Sequence, residues 1–256
     1  MLFKSLFESF VQLVFKPYIV IPAIVALLAS TVFGILGDIF LEAPMIDLVL
    51  NPGVFSGANN LIALIIFNYP LTVIGTLVFG FILFMIWVIV FESIACISQG
   101  QKFVEAINDS VLQLRKSIGF TLILLAATVI LFAVFWVNSE IMALINSELG
   151  IAIAIIITII CFVVLVKLAF TIPVLTEMEL KKALMESWKF TNKRFWSSLA
   201  LIIIAGIIML AFTIIITQIG IVLGESFEVP LAIIGQAIGV TYFIAAITNF
   251  FYSKSK

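Results

Sequence analysis

The residues best placed for chemistry are a carboxylate and an amine, Glu92 and Lys167, each set inside a long apolar run. A charge placed in hydrocarbon is expensive, so an intramembrane ionisable group points to a site by default. Both residues fall near one end of their runs. From there either side chain can snorkel to the interface, the two can pair across a bundle, or together they can hold an ion or proton in a cavity. A second group is basic and aromatic: Lys181, Lys182, Lys189, Lys193 and Arg194, interleaved with Trp188, Phe195 and Trp196. Cations beside amphipathic aromatic rings are the chemistry of an anionic lipid headgroup layer, with the rings as interfacial anchors. The same cations also serve to set topology.

Other chemistry finds little support. The chain has no histidine and two cysteines. No HExxH, Gly-x-Ser-x-Gly, phosphate loop or paired intramembrane Asp is present. No catalytic residue, metal or cofactor is therefore expected. Cys96 and Cys161 read as small packing hydrophobes. With a net charge of -1 and no basic domain, no nucleic-acid partner is expected either.

The elements that must position these residues are set by composition. The chain is 64% hydrophobic and 11% charged, with a mean hydropathy of +1.35, which excludes an ordinary soluble domain. A bilayer crossing takes about 20 apolar residues as a helix. Six runs qualify, at about 17–37, 71–95, 117–138, 151–171, 195–218 and 229–251. With no internal hydrogen-bond partner other than its own backbone, each must be helical. All thirteen Lys and Arg lie on one side of this arrangement, while Asp38, Glu42, Asp47, Glu140, Glu148, Glu225 and Glu228 mark the other. The positive-inside rule then places both termini in the cytoplasm. The Ile-rich, Lys-bearing composition fits a multi-pass protein of a prokaryotic plasma membrane. The start does not read as a cleaved signal peptide, because Lys4, Glu8 and Lys16–Pro17 interrupt its apolar region.

Three amphipathic stretches precede outward spans. In 2–15, Phe3, Leu6, Phe7, Phe10, Leu13 and Val14 share helical spacing against Lys4, Glu8 and Gln12. In 103–116, Phe103, Ile107, Val111 and Leu114 share a face. In 180–193, Leu180, Leu184, Trp188 and Thr191 line one side against Lys181, Lys182, Met185 and Lys189. The spacing predicts interfacial helices. The linker from Asp38 to Pro70 is read as broken by turn chemistry at Asn51–Gly53, with LIALIIFN as a short outer helix, and NSEIMALINSELG and GESFEVP as outer loops. The plan repeats. SFVQL at Ser9, SVLQL at Ser110 and SWKFT at Ser187 each lead through cations into a span. The expected fold is all-α, a single integral membrane domain of six transmembrane helices in three parallel repeats, about 1–97, 98–175 and 176–256. They would be related by a pseudo-threefold axis along the membrane normal. Gly235 and Gly239 form a small-xxx-small pair that predicts close helix contact.

The segment from Pro173 to Trp196 carries a further pattern: Pro173, Glu177, Ala183–Leu184, Ser187–Trp188, Thr191, Arg194 and Phe195–Trp196. It resembles the YciC-like bacterial inner-membrane proteins and the membrane domain attached to some glycerophosphodiester phosphodiesterases. Lys193 departs from the pattern, standing where a glycine is common. The resemblance implies six membrane helices and no transferable hydrolytic activity, since no stretch could form the phosphodiesterase barrel. Three functions follow as expectations. The first is a non-enzymatic protein that engages or organises membrane lipids through cytoplasmic amphipathic helices. The second is a small transporter or channel with a central cavity, and the third an accessory subunit with a membrane-protein partner.

Overall fold

A computed structural model describes residues 2–50, 70–144 and 147–255. The described residues are helical with no strand. The elements are α1 (Leu2–Phe15), a 3-10 turn (Pro17–Val20), α2 (Ile21–Leu50), α3 (Pro70–Ser98), α4 (Phe103–Leu112) and α5 (Leu114–Leu144). Then follow α6 (Ser147–Ala169), α7 (Thr171–Leu175), α8 (Leu180–Lys193), α9 (Phe195–Leu223) and α10 (Glu225–Ser255). Five described spans are long and apolar enough to cross a membrane, at Pro17–Gly37, Ile74–Ser98, Ile155–Leu175, Phe195–Leu223 and Glu225–Ser253. A sixth is counted if α4 and Leu114–Ile130 of α5, which meet at 71°, form one unit. The chain is thus an integral, multi-pass membrane protein.

Several linkers read as loops are helical. The backbone of α2 continues through Asp38–Leu50, and α5 carries Asn138–Leu144. Continued helix satisfies each peptide group internally, the cheapest solution next to lipid. The Asn51–Gly53 turn and the LIALIIFN helix lie outside the described residues. GESFEVP collapses to one hinge: Gly224 adopts φ 111°, a left-handed conformation that only glycine adopts cheaply, and α10 starts at once. Glu225 and Glu228 then occupy its first turn, where the helix dipole favours carboxylates.

Spans pair as hairpins α2 with α3, α5 with α6, and α9 with α10. The tightest is the last. A Cβ on Gly239 would lie 2.7 Å from the carbonyl oxygen of Met209, and one on Gly235 would lie 3.0 Å from Ile216 Cβ, as the small-xxx-small spacing predicts. The short helices α1, α4 and α8 gather at one end of the bundle and form a collar. Each rests on the end of a returning span: α4 on α3, α8 on α6 and α7, and α1 on α10. Beneath the collar the returning spans meet, and Ile94, Ile97, Phe120, Phe170, Leu175, Ile247 and Phe250 are fully buried there. Away from it the side chains open outward, with Val32, Ile35, Ile74, Ile155, Ile156 and Ile214 exposed. These are lipid-facing surfaces, since hydrocarbon solvates them as well as protein does.

Candidate functional site

The collar is held by small residues. Ser9, Ser110 and Ser187, the three residues anchoring the sequence pattern, are all buried, and so is the small residue four positions before each: Ser5, Ala106 and Ala183. Positions i and i+4 share a helix face, so each pair forms a narrow stripe that lets the short helix approach its span. Two of the three hydroxyls are satisfied within their own helix and the third across to a span. Ser9 Oγ donates to Ser5 O at 2.7 Å and Ser110 Oγ to Ala106 O at 2.8 Å. Ser187 Oγ donates across to Lys167 O of α6.

This stripe corrects the faces expected from hydrophobic spacing. In α1 the large residues Phe3, Phe7, Phe10 and Val14 point away from the protein, as do Val104, Val111 and Leu112 in α4. In α8 the inward residues are Ala183, Ser187 and Thr191, and Trp188 is exposed rather than aligned with Leu184. The physical reason is that a membrane surface offers two apolar surroundings. Bulky residues reach the lipid, and small ones permit contact with protein.

α1 is tied down further by polar bonds to α10 and α3. Asn249 Nδ2 donates to Ser9 Oγ (2.9 Å) and Gln12 Oε1 (3.1 Å), Gln12 Nε2 donates to Ser98 O (3.0 Å), and Tyr242 Oη donates to Leu6 O (3.3 Å). A polar residue within a span, such as Asn249, is expected to hydrogen-bond between helices; the sequence does not say that Ser9 and Gln12 are its partners.

The candidate lipid contacts cluster on and after α8. Lys181, Lys182, Lys189 and Lys193 are exposed, and Lys189 pairs with Glu186 at 3.8 Å. Arg194 sits at the joint between α8 and α9. Its guanidinium lies 5.7 Å from the Phe190 ring, and its buried Nη1 has no hydrogen-bond partner. Trp196 is 79% exposed and meets Phe195 edge-on at 5.6 Å. Lys167 does not reach Glu92. Its Nζ lies 3.7 Å from the centroid of the Trp188 ring, a cation–π contact. Glu92 is 1% exposed and accepts from Ser117 Oγ at 3.2 and 3.1 Å. The structure therefore joins Lys167 to the anchor Trp188 and leaves Glu92 in a separate buried contact between α3 and α5.

Described residues line three cavities in and around this region. One, of about 330 Å³, lies where the hairpins meet and is lined by apolar residues throughout, among them Phe91, Phe120, Leu168, Met209, Phe243 and Ile244. A groove of about 440 Å³ between α5 and α6 is also apolar and includes Ala127, Ile157 and Cys161. The third, of about 460 Å³, is polar and lies at the collar end between α1, α3 and α10. Lining residues of the apolar cavities are indistinguishable in sequence from any other apolar span residue.

Against known proteins, residues 139–254 match a family model described as the membrane domain of glycerophosphoryl diester phosphodiesterase. The match contains the Pro173–Trp196 segment and supports the relation to that membrane domain read from it; it falls on a membrane domain and not on the catalytic part of such enzymes. No curated protein and no solved structure matches the chain.

Proposed function

We propose that the protein is a non-enzymatic lipid-engaging component of a prokaryotic plasma membrane, with both termini and the collar on the cytoplasmic side. The observation that carries this reading is the wholly apolar cavity of about 330 Å³ where the hairpins meet. Its lining has no group to replace the hydration of an ion or polar solute, whereas an acyl chain needs only apolar contact. The collar fits the same ligand class. Phe3, Phe7 and Phe10 face outward to insert among acyl chains, while Lys181, Lys182, Lys189 and Lys193 meet anionic headgroups. Arg194 Nη1, a buried donor without an acceptor, is suited to a phosphate or ester oxygen of lipid.

The same reading includes the pseudo-threefold plan of 1–97, 98–175 and 176–256. It is supported by the buried serine stripe in each short helix, and by each of these helices resting on the returning span of the unit before it, with α1 closing on α10. The transporter alternative needs a polar lining where the hairpins meet, and the cavity there has an apolar one.

The test is native mass spectrometry of the protein released from mild detergent, compared with Ala169→Phe, which narrows the apolar cavity. Phospholipid should survive release from the micelle on the natural sequence and be depleted in the variant. An unliganded monomer in both cases overturns the proposal.

A further inference from the structure

The apolar groove between α5 and α6 and the central apolar cavity are two parts of one seam. On α5, Phe120 and Leu124 line the cavity, while Ala127 and Ile130 line the groove. On α6, Ile157 and Cys161 line the groove, Leu168 lines the cavity, and Leu165 lines both. Steps of three and four residues keep each set on one face of its helix. The seam therefore runs from the lipid-facing groove into the bundle, and the Leu165 side chain, 45% exposed, is the partition within it.

Residue shape accounts for the opening. Gly235 and Gly239 bring α10 close against α9, whereas the branched residues Ile130, Ile157 and Ile160 flank the α5–α6 groove and hold its helices apart. The lining of both spaces is apolar, with Cys161 a small hydrophobe among it. Water finds no hydrogen bond there, and a space of this kind takes an apolar occupant. Depth selects which one. Arg115 and Lys116 hold the start of α5 at the interface. Ala127 lies 127 − 116 = 11 residues beyond Lys116, which puts the groove about 16 Å down. That is the middle of a hydrocarbon core about 30 Å thick, where the surrounding medium is the ends of acyl chains. A second helix fits less well, because close helix contacts in membranes are built on small residues and this groove is rimmed by isoleucine.

We propose that the α5–α6 groove is the lateral mouth of the central cavity, through which one acyl chain of a membrane lipid passes Leu165 with its methyl end leading. The headgroup stays at the bilayer interface, because an apolar mouth at mid-core offers it no hydrogen bond. The lipid is selected by its chain and not by its headgroup. This rests on the acyl-chain reading of the central cavity and adds the route, the direction of entry and the gate residue.

The experiment places the full chain in nanodiscs of phosphatidylcholine or phosphatidylglycerol carrying a photoactivatable diazirine at the methyl end of one chain, and locates the adducts by peptide mass spectrometry. Adducts at Cys161, Phe120 and Leu168 should exceed those at Ile203, Ile207 and Ile214, which are exposed on α9, and should do so equally for both headgroups. A diazirine beside the chain carbonyl should leave Phe120 and Leu168 unlabelled. Ala127→Phe fills the groove and leaves the lining of the central cavity unaltered. It should remove the adducts at Phe120 and Leu168 and slow exchange of retained lipid for deuterated lipid at least about tenfold, the factor for the low end of an overpacking penalty. Leu165→Ala removes the partition and should speed the same exchange, so a second variant reports if the first fails to fold. Adducts spread evenly over all lipid-facing helices, or equal exchange in the natural chain and both variants, overturn the assignment. So does a dimer that Ala127→Phe dissociates, because a second copy of the chain then covers the groove. If Ala169→Phe depletes the retained lipid while adducts at Phe120 persist in Ala127→Phe, the chain enters elsewhere and only the acyl-chain reading survives. With no lipid retained and no adduct at Phe120, both fall.

Discussion

The contact at Gly239 allows a test in which one chemical change has different effects at two positions. A Cβ placed there would stand 2.7 Å from Met209 O and 2.9 Å from Met209 Cγ, while nothing lies within 4 Å of a Cβ placed on Gly206. The first obstacle is backbone and cannot rotate away. Ordinary contact begins at 3.4 Å, so α9 and α10 must separate by 3.4 − 2.7 = 0.7 Å at this crossing. A radial gap of roughly 0.5–1 Å forfeits a quarter to a half of each dispersion contact along the interface, and overpacking of this kind costs about 1–3 kcal/mol. Alanine recovers about 1 kcal/mol of helix propensity over glycine. Gly239→Ala should therefore range from neutral to about 2 kcal/mol less stable. Gly206→Ala keeps the whole propensity gain and should be about 1 kcal/mol more stable. Equilibrium unfolding of both variants in the same detergent, titrated with SDS, reads the difference directly. If Gly239→Ala proves as stable as Gly206→Ala, the close approach of α9 and α10 is wrong.

Three further outcomes follow from the same contacts. Asn249→Leu removes the donor shared by Ser9 and Gln12 and should cost about 1–3 kcal/mol; hydrogen exchange of residues 2–15 should speed up more than that of α8, and uniform exchange would contradict the tether. Ser117→Ala takes from Glu92 its side-chain donor, with a cost of about 1–3 kcal/mol. A double-mutant cycle with Glu92→Leu should return a clear coupling energy, and strict additivity would mean the bond is not formed. Lys193→Glu/Arg194→Glu should weaken collar association with anionic vesicles by at least about 2 kcal/mol at low salt, measured by quenching of tryptophan fluorescence by brominated lipid. An unchanged signal, or one insensitive to salt, removes the electrostatic part of the lipid reading.

Much of the site is legible only after folding. The basic cluster and its neighbours Trp188, Phe195 and Trp196 stand out in sequence because cations next to aromatic residues at a span end are chemically unusual. Glu92 and Lys167 stand out because each is an ionisable group inside an apolar run, yet their partners do not: Ser117 and Trp188 meet them through packing of α5 and α8. Asn249 reads in sequence as a span residue that should hydrogen-bond between helices, but not as the anchor of α1.

The spans are determined by sequence alone, because crossing hydrocarbon demands a continuous apolar run and leaves helix as the available backbone state. The three amphipathic helices are likewise determined by their spacing, and the close pairing of α9 and α10 by Gly235 and Gly239. The tertiary structure decided which face of each short helix turns inward. Hydrophobic spacing marks the face that leaves water but not whether lipid or protein receives it, so Ser5 and Ser9, Ala106 and Ser110, and Ala183 and Ser187 were the contact stripes hidden in it. It also decided where cavities lie. Leucine, isoleucine and phenylalanine are equally at home against lipid or against a void, and only the three-dimensional meeting of the hairpins tells them apart.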